Sequence, residues 1–265
     1  MPRIQANGIQ LYYELHGPAD ADVLVLSNGI LMSTASWPFQ TPVLSKHYRL
    51  LLYDCRGQWQ SDHPAEPYSM ELHAEDLAAL LDALHIRRAH IGGVSYGSEI
   101  SLAFALGYPD RVQSLVISSA ASELGPVLWG VIKAWAGAAR THDAELFYNV
   151  TYPYNFSRHW IAANPKMLAQ ARARYETLDF DAVVNLCQAF MKLNLTKDLH
   201  KITAPTLLMF GEEDVLKPRY YSDLILAEMP QTEFAILPKA GHALMWEQPD
   251  VFNSLVLGFL AKQHH

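Results

Sequence analysis

Ile91-Gly92-Gly93-Val94-Ser95-Tyr96-Gly97 is the stretch on which the reading of this chain turns. An apolar run, Ala89 to Val94, leads into it, and an amphipathic run, Ser98 to Tyr108, leads out. Gly93, Ser95 and Gly97 fit Gly-x-Ser-x-Gly, in which a strand reverses into a helix around a serine held in strained backbone. The flanking glycines have no Cβ, so strand and helix can close on the serine. Its hydroxyl then stands above the sheet edge, at the positive end of a helix. So short a pattern also arises by chance. Its weight rests on the strand before it, the helix after it, and an acid and a histidine downstream in that order.

The surroundings supply the strand–helix rhythm. Upstream, Asn7-Gly8 between Arg3–Asn7 and Gln10–His16 is a hairpin signal. Val23–Leu26 and Leu50–Tyr53 are short apolar runs of the kind buried on both faces of a parallel sheet. The stretch Ser36 to Lys46 between them reads as a short helix, with Pro38 near its start. Met70 to His85 reads as a longer one, with Met70, Leu77, Leu81 and Leu84 on its apolar stripe and Glu71, Glu75, Asp76 and Asp82 mostly off it. Downstream, Val112–Ile117, Thr206–Phe210 and Glu233–Leu237 continue the strands, and Tyr220–Met229 and Pro249–Lys262 the helices. Alternation of this kind implies parallel strands with helices on both faces.

From 122 to 201 the rhythm breaks. No strand pattern appears, Gly125-Pro126, Tyr152-Pro153 and Asn164-Pro165 punctuate helical pieces, and aromatics accumulate. This stretch holds nine Lys/Arg against seven Asp/Glu, a net +2 in a chain of net −7. We expect a core of residues 1–121 and 202–265 with an all-helical cap, 122–201, inserted in it.

Bulk composition excludes several classes. A net charge of −7 argues against a general nucleic-acid binder. No run reaches the roughly 18 apolar residues that a membrane span needs. Met1-Pro2-Arg3-Ile4-Gln5 lacks an apolar signal core, and Cys55 and Cys187 are far apart, so a cytoplasmic setting without a disulfide is the expectation. His264 and His265 are set aside, because a purification tag can leave such a terminal pair.

Two loops answer the demand for an acid and a base. Thr206–Phe210 runs into Gly211-Glu212-Glu213-Asp214, and Glu233–Leu237 into Pro238-Lys239-Ala240-Gly241-His242. Loops after the carboxyl ends of parallel strands gather on one sheet edge, the edge that carries Ser95. In chain order the candidates are Ser95, Asp214 and His242, the order of acid before histidine that the Gly-x-Ser-x-Gly pattern calls for, with Glu212 and Glu213 as rivals to Asp214.

With these residues in view, the chain resembles the α/β-hydrolase fold superfamily. The resemblance rests on the Gly93–Gly97 motif, Gly211-x-x-Asp214, Gly241-His242 with Glu247 and Pro249 behind it, and Asp54-x-Arg56-Gly57. It spans nearly the whole chain and is weakest in the helical stretch. It implies a mostly parallel central sheet flanked by helices, with the cap inserted. It also implies a triad, with Ser95 as nucleophile, His242 as base and Asp214 as the acid that orients it. The backbone N–H groups of Tyr96 and, by position, Ile30 would form the oxyanion hole.

Three departures from the family pattern stand out. Asn28-Gly29 replaces a common His-Gly, Trp59 replaces a common glycine, and Ser98-Glu99 follow the elbow where small residues are usual. Trp59 either lines the entrance or packs, and Glu99 reads as a helix-face residue rather than a second acid. Asn28, Trp59, Trp129, Trp135 and Trp160 are the candidate pocket residues.

No cofactor is implied: there is no Gly-x-Gly-x-x-Gly after a strand, no Walker loop and no metal-binding His-Glu-x-x-His. The expected activity is hydrolysis of a small-molecule carboxylic ester or lactone with an apolar acyl part, as in the similar 3-oxoadipate enol-lactonases. Thr34-Ala35-Ser36-Trp37 after Asn28-Gly29 also resembles the acyltransferase that joins 3-hydroxyacyl chains for rhamnolipid synthesis, so acyl transfer is the alternative. A non-enzymatic receptor on this fold is a third reading, against which the complete triad argues.

Overall fold

Asn7 and Gly8 both adopt left-handed backbone, with φ of 45° and 80°, and this turns the first strand directly into the second. The chain is described by a computed structural model covering residues 2–263; His264 and His265 lie outside the described residues. The strands are β1 (Arg3–Ala6), β2 (Ile9–His16), β3 (Val23–Ser27), β4 (Arg49–Tyr53), β5 (Ala89–Val94), β6 (Val112–Ser118), β7 (Thr206–Gly211) and β8 (Glu233–Leu237). Around the sheet lie α1 (Thr41–Leu44), α2 (Met70–Ala83), α3 (Tyr96–Gly107), α9 (Arg219–Glu228), α10 (Leu244–Glu247) and α11 (Pro249–Leu260). Between β6 and β7 the helices are α4 (Pro126–Ala139), α5 (Ala144–Thr151), α6 (Arg158–Ala163), α7 (Pro165–Tyr175) and α8 (Phe180–Phe190).

The eight strands form one sheet in the order β1-β2-β4-β3-β5-β6-β7-β8. β2 is antiparallel to β1 and β4, and every later pairing is parallel. The period of two along a strand divides the core. Leu24, Leu26, Leu50 and Leu52 join Trp37, Phe252 and Val256 on one face. Val25 and Leu51 join Leu77, Ile100 and Phe104 on the other. The central strands are therefore mostly apolar, because both faces are covered, and their buried polar residues, such as His90 and Ser114, pair with each other.

Strand order reverses between β3 and β5, which pair in register from Leu24↔His90 to Ser27↔Gly93. The loop leaving β3 and the turn leaving β5 thus flank one crevice at the carboxyl edge. β7 and β8 end on the same edge.

The helical stretch leaves and re-enters the sheet at neighbouring points. Glu123 bridges Asn194, Leu195 N–H donates to the Ser122 carbonyl at 2.7 Å, and Ser122 Oγ meets Thr196 Oγ1 at 2.7 Å. Adjacent ends let α4–α8 sit above the sheet edge without disturbing strand order. Among the described residues no helix is long and apolar enough to cross a membrane.

Two local expectations need correction. The single helix expected over Ser36 to Lys46 is a 3₁₀ turn, Thr34–Ser36, followed by the short α1. Pro38 and Pro42 each lack an N–H, so an uninterrupted hydrogen-bond ladder cannot form there. Asp76, expected mostly off the apolar stripe of α2, is buried. Its carboxylate accepts from Arg56 Nη2 at 2.6 Å and Nε at 2.7 Å, and from Asn7 Nδ2 at 2.8 Å. The pair ties the loop after β4 to α2.

Because the side chains of Arg56 and Asp76 are only 8% and 2% exposed, removing one partner strands a buried charge. Asp76→Ala is expected to cost about 3–5 kcal/mol. Urea denaturation checks this as a lower midpoint at unchanged m-value.

Candidate active site

Ser95 sits at φ 53° and ψ −121°, outside the backbone region that a serine prefers. The strain holds because both flanks leave no room to relax. A Cβ on Gly97 would overlap the Ser27 carbonyl oxygen, and one on Gly93 would overlap the Gly97 backbone. Ser95 N–H donates to the Ser118 carbonyl at 2.9 Å, fastening the turn to β6. α3 starts at the next residue, so the Tyr96 N–H has no acceptor within the helix.

Three loops converge on Ser95. From the β7 loop, Asp214 Oδ2 meets His242 Nδ1 at 2.7 Å, the ring lying in the loop after β8. Asp214 Oδ1 accepts the Leu216 and Lys217 backbone N–H groups at 3.0 and 2.8 Å, which orients the carboxylate. Glu247 shapes the histidine loop by accepting from Gly241 N–H at 2.9 Å and Ser157 N–H at 3.1 Å. From the β3 loop, Ile30 lies inside a turn closed by Met32 N–H to the Gly29 carbonyl at 3.1 Å, a bond that leaves the Ile30 N–H free of turn duty. Glu212 accepts from the Lys239 N–H and Glu213 lies near His159 and Arg158, so the two rival acids belong to other contacts.

The link between Ser95 and His242 departs from the simplest expectation. Among the described residues the buried Nε2 of His242 has no hydrogen-bond partner. Ser95 Oγ instead accepts from Lys217 Nζ at 3.3 Å. Ser95 and His242 nevertheless line one cavity of about 330 Å³. Catalytic hydrogen bonds in unliganded enzymes are often long or misaligned.

Glu99 lies on α3 as expected, but on a covered face of the helix. It is wholly buried and accepts from Lys217 Nζ at 2.9 and 3.0 Å and from Ala121 N–H at 2.8 Å. Burial pushes its carboxyl up to about 7, against the pull of the Lys217 ammonium, and burial pulls the Lys217 ammonium below its usual range. A signal for the pair existed: Glu99 is the only charged residue on α3, and Lys217 follows Val215-Leu216 three residues after Asp214.

The cavity floor is Gly29, Ile30, Ser95 and His242, and its roof comes largely from α6 and α7. Trp59, Trp135 and Trp160 line it; Trp129 and Asn28 do not. Trp129 is 41% exposed, with the Lys133 ammonium 5.0 Å above its ring, because it falls on the solvent face of α4. Asn28 is buried behind the β3 loop: Nδ2 donates to the Tyr53 carbonyl and Oδ1 accepts from Trp37 Nε1, both at 2.8 Å. It supports the loop instead of meeting a ligand. Trp59 takes a left-handed φ of 48°, which explains why glycine suits this position. Its indole donates to the Leu31 carbonyl at 2.9 Å and carries the Arg174 guanidinium 4.4 Å from its ring. Among the described residues no three His, Cys, Asp or Glu side chains converge on a metal position.

Comparison with known proteins agrees with this architecture. The sequence profile of the alpha/beta hydrolase fold matches residues 22–249. A protein of Stutzerimonas stutzeri named "Putative carbamate hydrolase RutD" is 36% identical over 267 residues, covering 96% of this chain and 97% of its own length. The enol-lactonase of Burkholderia xenovorans superposes with a TM-score of 0.92 at 28% identity, over 98% of this chain and all of that one. MGS-M2, an alpha/beta hydrolase from a deep-sea metagenome library, gives a TM-score of 0.93 at 31% identity, covering 98% and 97% of the two chains.

Behind the elbow, the Tyr96 hydroxyl meets His73 Nε2 at 2.8 Å, and burial, aided by Arg56, pulls His73 down from 6.5 to about 3. The folded chain thus refuses a proton that the unfolded chain accepts below pH 6.5. Stability present above that pH is lost as the pH falls, by up to about 1.4 kcal/mol per unit. His73→Gln is expected to flatten this acid-side slope, measured as the urea midpoint between pH 6.5 and pH 4.

Proposed function

The chain belongs to the α/β-hydrolase fold family, and from that premise we propose that it is a serine hydrolase cleaving carboxylic esters or lactones through an acyl-enzyme on Ser95. One observation carries the reading: the Asp214–His242 pair at 2.7 Å opens into the same cavity as a serine on a strained elbow. In this reading the Ser95 hydroxyl presents its proton to the unpartnered His242 Nε2 when substrate binds. His242 takes the hydroxyl proton as Oγ attacks the carbonyl carbon, and returns it to the leaving alcohol. Asp214 holds the Nδ1 tautomer and stabilises the imidazolium. The oxyanion takes hydrogen bonds from the Ile30 and Tyr96 N–H groups, aided by the positive end of α3. Water then repeats the sequence on the acyl-enzyme and frees Ser95.

The chamber supports this substrate class. An apolar cavity of about 330 Å³, roofed by Trp160, Met167 and Ala171, suits an acyl or ring-bearing group of medium size. On this reading residues 122–201 act as a cap over the core formed by 1–121 and 202–265, excluding water during the reaction. A carbamate is a second reading, favoured by the name of the relative 36% identical to this chain. The same serine could attack that carbonyl, but a small carbamate would leave most of the chamber unfilled. The acyl-transfer alternative finds no support in the relatives compared.

Ser95→Ala is expected to abolish the burst of p-nitrophenol from p-nitrophenyl esters; full turnover by that variant would discard Ser95 as nucleophile. Across a panel of esters, lactones and carbamates, kcat/KM is expected to be highest for medium apolar acyl esters or lactones. Carbamates at the head of that ranking would favour the second reading. Trp160→Ala is expected to lower kcat/KM for such esters about tenfold while sparing acetyl esters. Trp129→Ala is expected to leave both within about twofold.

A further inference from the structure

Lys217 has no part in the proton relay described above, yet its ammonium touches the nucleophile. It is wholly buried, donates to both Glu99 oxygens at 2.9 and 3.0 Å, and donates to Ser95 Oγ at 3.3 Å. Three donors therefore meet three acceptors. The Phe190 ring centroid lies 4.8 Å from Nζ on another side. The backbone N–H of the same residue donates to Asp214 Oδ1 at 2.8 Å, so the acid loop fixes the lysine while the lysine reaches the serine. A buried ion pair contributes little net stability, so its placement against Ser95 asks for a chemical reason.

We propose that Lys217 is a further catalytic residue: its ammonium, neutralised by Glu99, supports Ser95 Oγ with a charge-assisted hydrogen bond as the hydroxyl loses and regains its proton. The proposal rests on the reading of Ser95 as nucleophile. The ammonium donates and the hydroxyl oxygen accepts, so the contact leaves the serine's own proton available to His242. In acylation His242 Nε2 takes that proton as the Oγ–carbon bond forms, the Lys217 N–H carries part of the charge on Oγ, and the carbon–leaving-oxygen bond then breaks with His242 giving its proton to the departing alcohol. In deacylation His242 takes a proton from water, the water oxygen bonds to the acyl carbon, and the carbon–Oγ bond breaks. His242 then returns a proton to Oγ, which Lys217 supports as it departs. Lys217 keeps its proton throughout. Glu99 is needed because a lone ammonium against Ser95 would oppose the positive charge that His242 gains in the same site, whereas the pair is neutral overall.

The test compares two folded double variants with the wild type, using a p-nitrophenyl ester and a fluorophosphonate probe. Glu99→Gln with Lys217→Met removes the charge and the donor together, so no buried charge is stranded. The burst rate and the probe-labelling rate are expected to fall on the order of tenfold to a hundredfold at unchanged KM. Glu99→Gln with Lys217→Gln restores a neutral donor and is expected to recover part of that loss. A folded Met-bearing variant that acylates at the wild-type rate overturns the proposal while leaving Ser95 as nucleophile. Wild type that the probe fails to label at Ser95 overturns both. If the double variants do not fold, nitrogen NMR of isotope-labelled lysine in the wild type decides. The Lys217 ammonium resonance is expected to shift when the probe occupies Ser95, and an unmoved resonance overturns the proposal.

Discussion

Everything at the sheet edge depends on a steric constraint: the backbone of Gly97 lies against the carbonyl oxygen of Ser27 with no space for a side chain. That contact locks the start of α3 to the end of β3, and it keeps Ser95 at a φ of 53° that the residue would not hold unaided. A serine in the left-handed region costs on the order of 1–3 kcal/mol. The cost is carried by the double-faced core, where β3 and β5 pair in register and helices cover both sides. The same lock fixes the start of α3, whose first N–H groups have no acceptor within the helix, beside the crevice between the β3 loop and the elbow.

Charge at this edge is managed by pairing. Arg56 with Asp76 and Lys217 with Glu99 are buried ion pairs, and each joins two segments that are far apart in sequence. Such pairs add little net stability, but they penalise any arrangement that separates them. They therefore define the positions of the β4 loop and the β7 loop more sharply than apolar packing would. Glu247 does similar work with no cationic partner among the described residues. By accepting from both Gly241 and Ser157 it ties the histidine loop to the helical stretch, and the Ala243 N–H reinforces the tie by donating to the Asn155 carbonyl at 2.8 Å. The roof of the cavity and the loop that carries His242 are thus mechanically connected.

Much of this was legible in the sequence, for identifiable reasons. Strands buried on both faces are mostly apolar, so β3, β4, β5 and β7 stand out as short, largely apolar runs. The elbow shows because only glycine tolerates its close approaches, and Asp214 and His242 show because their loops follow strands. Parallel topology then gathers those loops on one edge whatever lies between them. None of these inferences needs to know which side chain touches which.

What the sequence could not settle is partnership, because hydrogen bonds and burial depend on residues brought together from distant positions. Glu99 looks like any acid on a helix until α3 is covered on every side and Lys217 arrives from more than a hundred residues away. Trp129 and Trp160 are equal candidates by composition, yet the rotation of α4 turns one to solvent while the other roofs the cavity. Asn28 reads as a pocket residue until Tyr53 and Trp37 are seen to occupy its amide. By itself the sequence determined the order of the elements and the identity of the converging loops, since these follow from local periodicity and backbone sterics. The tertiary structure alone decided which polar groups are paired and which remain open to chemistry, since that is a property of distances between chain segments.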